Sequence, residues 1–373
     1  MLDHLGDIPW NRLTHAYGPA GDVPDLLRRL RTAPPEMTGE QSPLWHLFGN
    51  IWHQGTVYEA TAYAVPFLIE LAACPVVSDR LGILGLLAAI ATGSSYRDVH
   101  ESLLNEPDFA ERKAVELNWV EQAHAAVASG VAAFLAMTRE ETDVRLAAAH
   151  VLALLPEHRE VACARLRSMV NAETESLRRA GLLLLLGLAG DRSEATLSLL
   201  IGALSGDDLL QRRAAAVAFA YLKPDPLPNL ACAAILDAIA ADDLEKSFSG
   251  LPWDVVAEVD REKLETCLDA ASREEAAMTG IAAIESGNAT HQIVSTVLRL
   301  IFPLRPPRDE PPLTDLDLSP LQQRAVRAMA SAMEDGQRIF YGSFWLWGLP
   351  ETVQDWRALA SKDGPARTDS NPP

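Results

Sequence analysis

The chain has 373 residues, 48% of them apolar and only 6% aromatic, with 51 acidic against 32 basic side chains and a net charge of −19 at pH 7. That charge argues against nucleic acid as a general partner, because a duplex is itself a dense array of negative charge and needs clustered Lys and Arg to hold it. The scarcity of aromatic and β-branched runs argues against a large sheet.

Residues 1–22 form an irregular entry containing Trp10 and Tyr17. The spacing predicts a short amphipathic helix over 22–31, ended by Ala33-Pro34-Pro35. A second helix starts near Ser42-Pro43 and runs to Gln54, where Gly55 stops it. Thr56-Val57-Tyr58-Glu59 fits an S/T-x-x-E capping box and opens a third helix through Ala73, bent at Pro66. Ser78 or Asp79 caps a fourth helix that ends at Gly93. A loop over 94–107 and a long helix or helix pair over 107–138 complete a region, 1–139, of divergent helical repeats.

From residue 140 the pattern becomes regular. Residues 173–190, ETESLRRAGLLLLLGLAG, make a helix apolar on nearly every side, which must be buried between neighbours. The same order of Arg, small residues and leucines occurs 33 positions earlier in DVRLAAAHVLALLP (143–156) and 34 positions later in DLLQRRAAAVAFAYL (208–222). Helices at 157–171, 193–205 and 228–241 alternate with these three. Acids precede each buried helix, as in Asp143, Glu173, Glu175, Asp207 and Asp208, and complement the partial positive charge of a helix N-terminus. Self-similarity at this period implies stacked supersecondary units. The repeat is regular to about 243, and helices at 251–271 and 273–302 extend the region to 302. A proline-rich connector (303–320), a closing helical cap (321–360) with the aromatics Phe340, Tyr341, Phe344, Trp345 and Trp347, and a disordered tail (361–373) follow.

The starts Asp143-Val144-Arg145 with Ala147-Ala148, Arg178-Arg179-Ala180-Gly181 and Arg212-Arg213-Ala214-Ala215 resemble those of the HEAT-repeat (armadillo-type) family. The likeness covers about residues 140–243, with helical pairs at 23–92 similar but more divergent. The period is shorter than the usual ~40 and the outer-helix proline is missing from several copies. In this the chain is similar to the short variant of bacterial HEAT proteins and of phycobilisome-lyase-type HEAT proteins. The resemblance implies an all-α fold, a right-handed α-solenoid of stacked antiparallel helix pairs, and a scaffold or adaptor that binds a protein. Related folds also serve as bilin lyases and alkyl-purine DNA glycosylases, so fold does not decide between scaffold and enzyme.

The densest chemistry lies in LWHLFGNIWHQGTVYE (44–59). On a helix His46, Gly49, Asn50 and His53 fall on one face, with Trp45, Phe48 and Trp52 on an adjacent face. Followed by Gln54, Tyr58 and Glu59, this reads either as core packing with a capping role or as a pocket in which an imidazole works or aromatics hold a flat ligand. His46 and His53 are seven residues apart, about 10.5 Å along a helix, and do not share an ion as an i, i+4 pair does. The arginine column Arg145, Arg178 and Arg212 reads either as a grip for carboxylates or phosphates or as the partner of the neighbouring acids, the structural use being favoured.

No phosphate-binding glycine loop, nucleophile elbow or H-E-x-x-H motif occurs, so no catalytic residue, metal site or cofactor is expected. Cys74, Cys163, Cys232 and Cys267 form no C-x-x-C pair and read as buried thiols in a reducing compartment. The start MLDHLGDIPWNRL has no basic-then-apolar signal pattern and no apolar run reaches bilayer length, so a cytoplasmic, membrane-free protein is expected. The primary expectation is a non-catalytic scaffold for a basic protein partner; the alternative is an enzyme or small-molecule binder using the His/Trp/Tyr-rich region.

Overall fold

The computed structural model describes residues 1–34, 36–100, 108–140, 142–224, 227–240, 244, 246–253, 261–303, 313, 318–335, 344–350 and 352–360. It is 71% helix with almost no sheet, which places it in the all-α class. Contacts divide it into one unit of Met1–Leu197 with Gly250–Val255 and another of Ser198–Ser249 with Val256–Pro373.

The first unit holds α1 (Val23–Thr32), α2 (Pro43–Asn50), α3 (Glu59–Ala72), α4 (Arg80–Ala91), α5 (Tyr96–Val99), α6 (Phe109–Ala128), α7 (Val131–Met137), α8 (Val144–Ala153), α9 (Arg159–Ala172) and α10 (Ser176–Leu188). Helix α3 packs on α4 and α6, α4 on α8, and α8 on α9 and α10. In α10 every residue from 180 to 187 is buried, as an all-round apolar helix requires. The acids before the buried helices divide their work. Glu175 caps α10 by accepting from the Leu177 and Arg178 amides, whereas Glu173 accepts from Arg145. Arg178 reaches Asp143 at 3.0 Å, so one repeat is tied to the next.

Residues 251–253, expected to be helical, are instead a non-helical segment lying on α10, and 254–260 fall outside the described residues. A Cβ on Gly181 would come within 2.8 Å of Leu251 Cδ2 and 3.2 Å of Trp253 Cη2, so only a glycine admits this segment so closely. Trp253 also stacks on His150 with ring centroids 5.0 Å apart and planes at 22°. The interior histidine is therefore held by an aromatic face.

The boundary between the units falls inside α11 (Glu194–Ser205). The second unit continues through α12 (Leu209–Leu222), α13 (Asn229–Ala240), α14 (Arg261–Thr266), α15 (Ala270–Glu285), α16 (His291–Ile301), α17 (Pro320–Glu334) and α18 (Val353–Ala360). Asp208 caps α12 through the Gln211 amide. The single helix expected over 273–302 is two helices, because Gly287 at φ +91° turns the chain between α15 and α16. Glu265, 2% exposed, takes a bidentate pair from Arg299 at 2.7 and 2.9 Å. Phe344, Trp347 and Trp356 are buried in this unit's core, while Phe340, Tyr341, most of the connector and the tail lie outside the described residues.

The four cysteines are free thiols, and burial pushes Cys163 and Cys267 up to about 11. Among the described residues no single helix is long and apolar enough to cross a membrane; α6 and α7 together pass that test, but across a 44° bend.

Two outcomes follow from this packing. Gly181→Leu drives a side chain into Leu251 and Trp253 and is expected to lower stability by about 1–3 kcal/mol, measured as a shift in denaturant midpoint with the helical signal retained. Buried Arg80 binds Glu140 at 2.8 and 2.6 Å and thereby holds its carboxyl below the ordinary 4.5. The folded state thus binds this proton less readily than the unfolded one, so the contribution is complete above pH 4.5 and fades as pH falls below it. The stability gap between wild type and Glu140→Gln is accordingly expected to shrink on acidification, read by unfolding at neutral and acid pH.

Candidate functional site

The second helix does not reach Gln54. Helix α2 ends at Asn50, and residues 52–57 form a hairpin of β3 (Trp52–His53) and β4 (Thr56–Val57), with Trp52 opposite Val57 and His53 opposite Thr56. Gln54 and Gly55 both have positive φ, +49° and +90°, which is what a two-residue type I′ turn requires. His53 therefore does not continue a helical stripe with His46 and Asn50.

The Thr56/Glu59 capping box is replaced as well. Tyr58 occupies the N-cap position of α3, and its amide donates to Thr61 Oγ1 at 2.9 Å. Thr61 in turn donates to the Ile51 carbonyl, tying hairpin to helix. Glu59 accepts from the Thr14 amide and hydroxyl at 3.0 and 3.1 Å. Thr56 donates to the His53 carbonyl at 2.8 Å, so the Tyr58 hydroxyl, also 2.8 Å away, donates to Thr56. Burial raises the Tyr58 phenol above its usual value.

A first hairpin, Thr14–His15 with Gly18–Pro19, is joined to the end of α2 by the Ala16 amide, which donates to the Asn50 carbonyl at 3.0 Å. Its tip carries Tyr17, 69% exposed, whose ring meets His53 edge-on at 5.5 Å. Behind it, buried His15 accepts from the Tyr17 amide at Nδ1, so Nε2 carries the proton and donates to Asp22 at 2.9 Å. Asn50 donates to the other oxygen of the same carboxylate at 2.6 Å. One acid thus holds the first hairpin, α1 and α2 together.

Between the hairpins and α2 lies an open cleft of about 480 Å³, of order one small ligand or side-chain guest. It is lined by Tyr17, Trp45, His46, Phe48, Gly49, Asn50, Trp52, His53 and Gln54. Trp45 is half-exposed, and Phe48 and Trp52 meet edge-to-face at 5.9 Å. His46 donates through Nε2 to the Glu40 carbonyl at 2.8 Å. The buried Trp52 indole N–H has no hydrogen-bond partner among the described residues.

Five of the expected residues, His46, Asn50, Trp52, His53 and Gln54, converge on this cleft, whereas Tyr58 and Glu59 support it through the bonds just described. Arg145 and Arg178 are paired with Glu173 and Asp143, and Arg212 donates to the Gly206 carbonyl at 2.8 Å. Tyr17, His15 and Asp22 were not expected here. The turn-forming Gly18-Pro19 beside Tyr17 was a local signal for the first hairpin, but nothing local predicts its contact with residue 50.

Chemically the cleft offers aromatic faces beside the rings of His46 and His53, the Gln54 amide and the Trp52 indole N–H. His15 is committed at both ring nitrogens and Asn50 at its amide. Among the described residues no group of three His, Cys, Asp or Glu is placed to hold a metal ion. No family model, curated protein or solved structure matches the chain.

If Asn50 is the tie described, Asn50→Ala is expected to cost about 1.5–3 kcal/mol, the usual worth of a hydrogen bond to a charged group. Denaturant unfolding followed by tryptophan emission reads the loss.

Proposed function

We propose that this chain is a non-catalytic, cytoplasmic HEAT-like scaffold, a right-handed solenoid of antiparallel helix pairs that binds a protein partner, and that its N-terminal aromatic cleft is a docking point. The solenoid reading draws support from the order of small residues, leucines and arginines repeated in α8, α10 and α12, and from the Arg178–Asp143 tie between successive repeats. The observation that carries the binding reading is the cleft's division of labour: the polar groups behind its wall are bonded to one another, while Tyr17 and Trp45 are presented to solvent. Exposed, rigid aromatics over a fixed frame are the usual anchors of protein interfaces. A catalytic site would need a nucleophile or a proton carrier with an unoccupied ring nitrogen beside a second group that orients it. His15, the imidazole oriented by a carboxylate, has no such nitrogen; His46, which lines the cleft, is oriented only by the Glu40 backbone carbonyl and not by an acid.

A photo-crosslinking residue placed at position 45 tests this. A discrete protein adduct, formed in cells at 45 and lost when Tyr17 is changed to Ala, is the expected outcome. A co-purifying small molecule displaced by Trp45→Ala, with no protein adduct, would instead favour the enzyme or small-molecule reading.

A further inference from the structure

The charge beside the aromatic cleft has no cation to balance it. Asp22 is half-exposed and meets only His15 and Asn50, both neutral donors as bonded here; among the described residues it pairs with no lysine or arginine. It stands one hydrogen bond, 2.6 Å, behind the lining residue Asn50. Each carboxylate oxygen accepts one of these bonds and retains a second lone pair for another donor. Asp22 does not itself line the cleft; beyond Asn50 the cleft is lined by the rings of Tyr17, Trp45, Phe48 and Trp52, each with a negative π face. The whole chain carries −19, so the surrounding potential also favours a positive guest.

From this juxtaposition we infer that the cleft receives an arginine side chain of the partner protein, its guanidinium stacked on the exposed aromatics and directed toward Asp22. The inference rests on the scaffold reading above and adds the chemistry of what docks. Arginine suits the site better than lysine for three reasons. A planar guanidinium lies flat on a ring, it is more weakly hydrated than an ammonium, and its forked donors reach a carboxylate whose lone pairs are partly used. The volume exceeds one side chain, which leaves room for the aliphatic stem and adjoining backbone against Phe48 and Trp52.

The test uses the full chain with 15N-labelled tryptophan and short acetylated, amidated peptides, Gly-Ser-Arg-Ser-Gly and its counterparts with citrulline, lysine or glutamate at the central position. Citrulline keeps the shape of arginine and removes its charge. The arginine peptide is expected to shift the Trp45 and Trp52 indole signals saturably, with citrulline weaker by about tenfold, lysine in between, and glutamate without effect. Tyr17→Leu with Trp45→Leu, both at exposed positions, keeps apolar area and removes two π faces; it is expected to weaken the arginine peptide about tenfold or more. Asp22→Asn is expected to weaken it several-fold and to flatten its salt dependence, but this change also disturbs the tie to His15. The leucine pair therefore decides the matter if Asp22→Asn unfolds.

Equal binding of arginine and citrulline peptides, or no saturable shift with arginine, overturns the inference. An arginine peptide that fails while crosslinking at position 45 still finds a protein refutes the cationic guest and leaves the scaffold standing. A peptide that binds where no protein crosslinks supports the cation site and refutes the scaffold.

Discussion

A helix that is apolar on every side has no face to turn toward water, and this constraint governs the regular part of the molecule. In α10 the run from Ala180 to Gly187 is buried throughout, so neighbours must stand on all sides of it. Helices α8 and α9 supply part of that cover, and the non-helical segment at 250–253 supplies more through Leu251 and Trp253. The polar residues at the helix ends are then free only to pair among themselves. Arg145 with Glu173 and Arg178 with Asp143 are the result; the second is an ordinary partly exposed pair that adds register more than stability, whereas the Glu173 carboxylate is nearly buried and depends on its partner.

The N-terminal region solves a different problem. Helices α1, α2 and α3 meet two small hairpins, the second also bonded to the Ser94 backbone, and two-stranded hairpins are marginal by themselves. Hydrogen bonds from side chains hold them: Asp22 takes His15 and Asn50, Glu59 takes Thr14, and Thr61 links Tyr58 to Ile51. Using the polar groups in this way leaves aromatic rings as what the surface presents. The proposed docking through Tyr17 and Trp45 rests on that arrangement.

Parts of this were legible in the chain. Asp79 was readable as a cap and does accept from the Gly82 amide, and Ser319 caps α17 through Gln322. Gly55 was misread because a glycine after an amphipathic stretch serves equally as a helix stop and as the second residue of a hairpin turn. Trp52, His53, Thr56 and Val57, aromatic or β-branched beside the turn, carried the competing signal. Gly287 was missed for the converse reason, since alanine-rich sequence on one side and β-branched residues on the other hid the break.

Local composition by itself determined the helical class, the buried character of α8, α10 and α12, and the gathering of aromatic and imidazole side chains within residues 44–59, because periodicity and burial tendency are properties of neighbouring residues. Only the tertiary structure decided that Tyr17 and Asp22 join that cluster, that the 250–253 segment lies over Gly181, and that the acids divide between capping and pairing with arginine. Each of those depends on residues far apart in the chain meeting across a packed interior, and no local spacing encodes such a meeting.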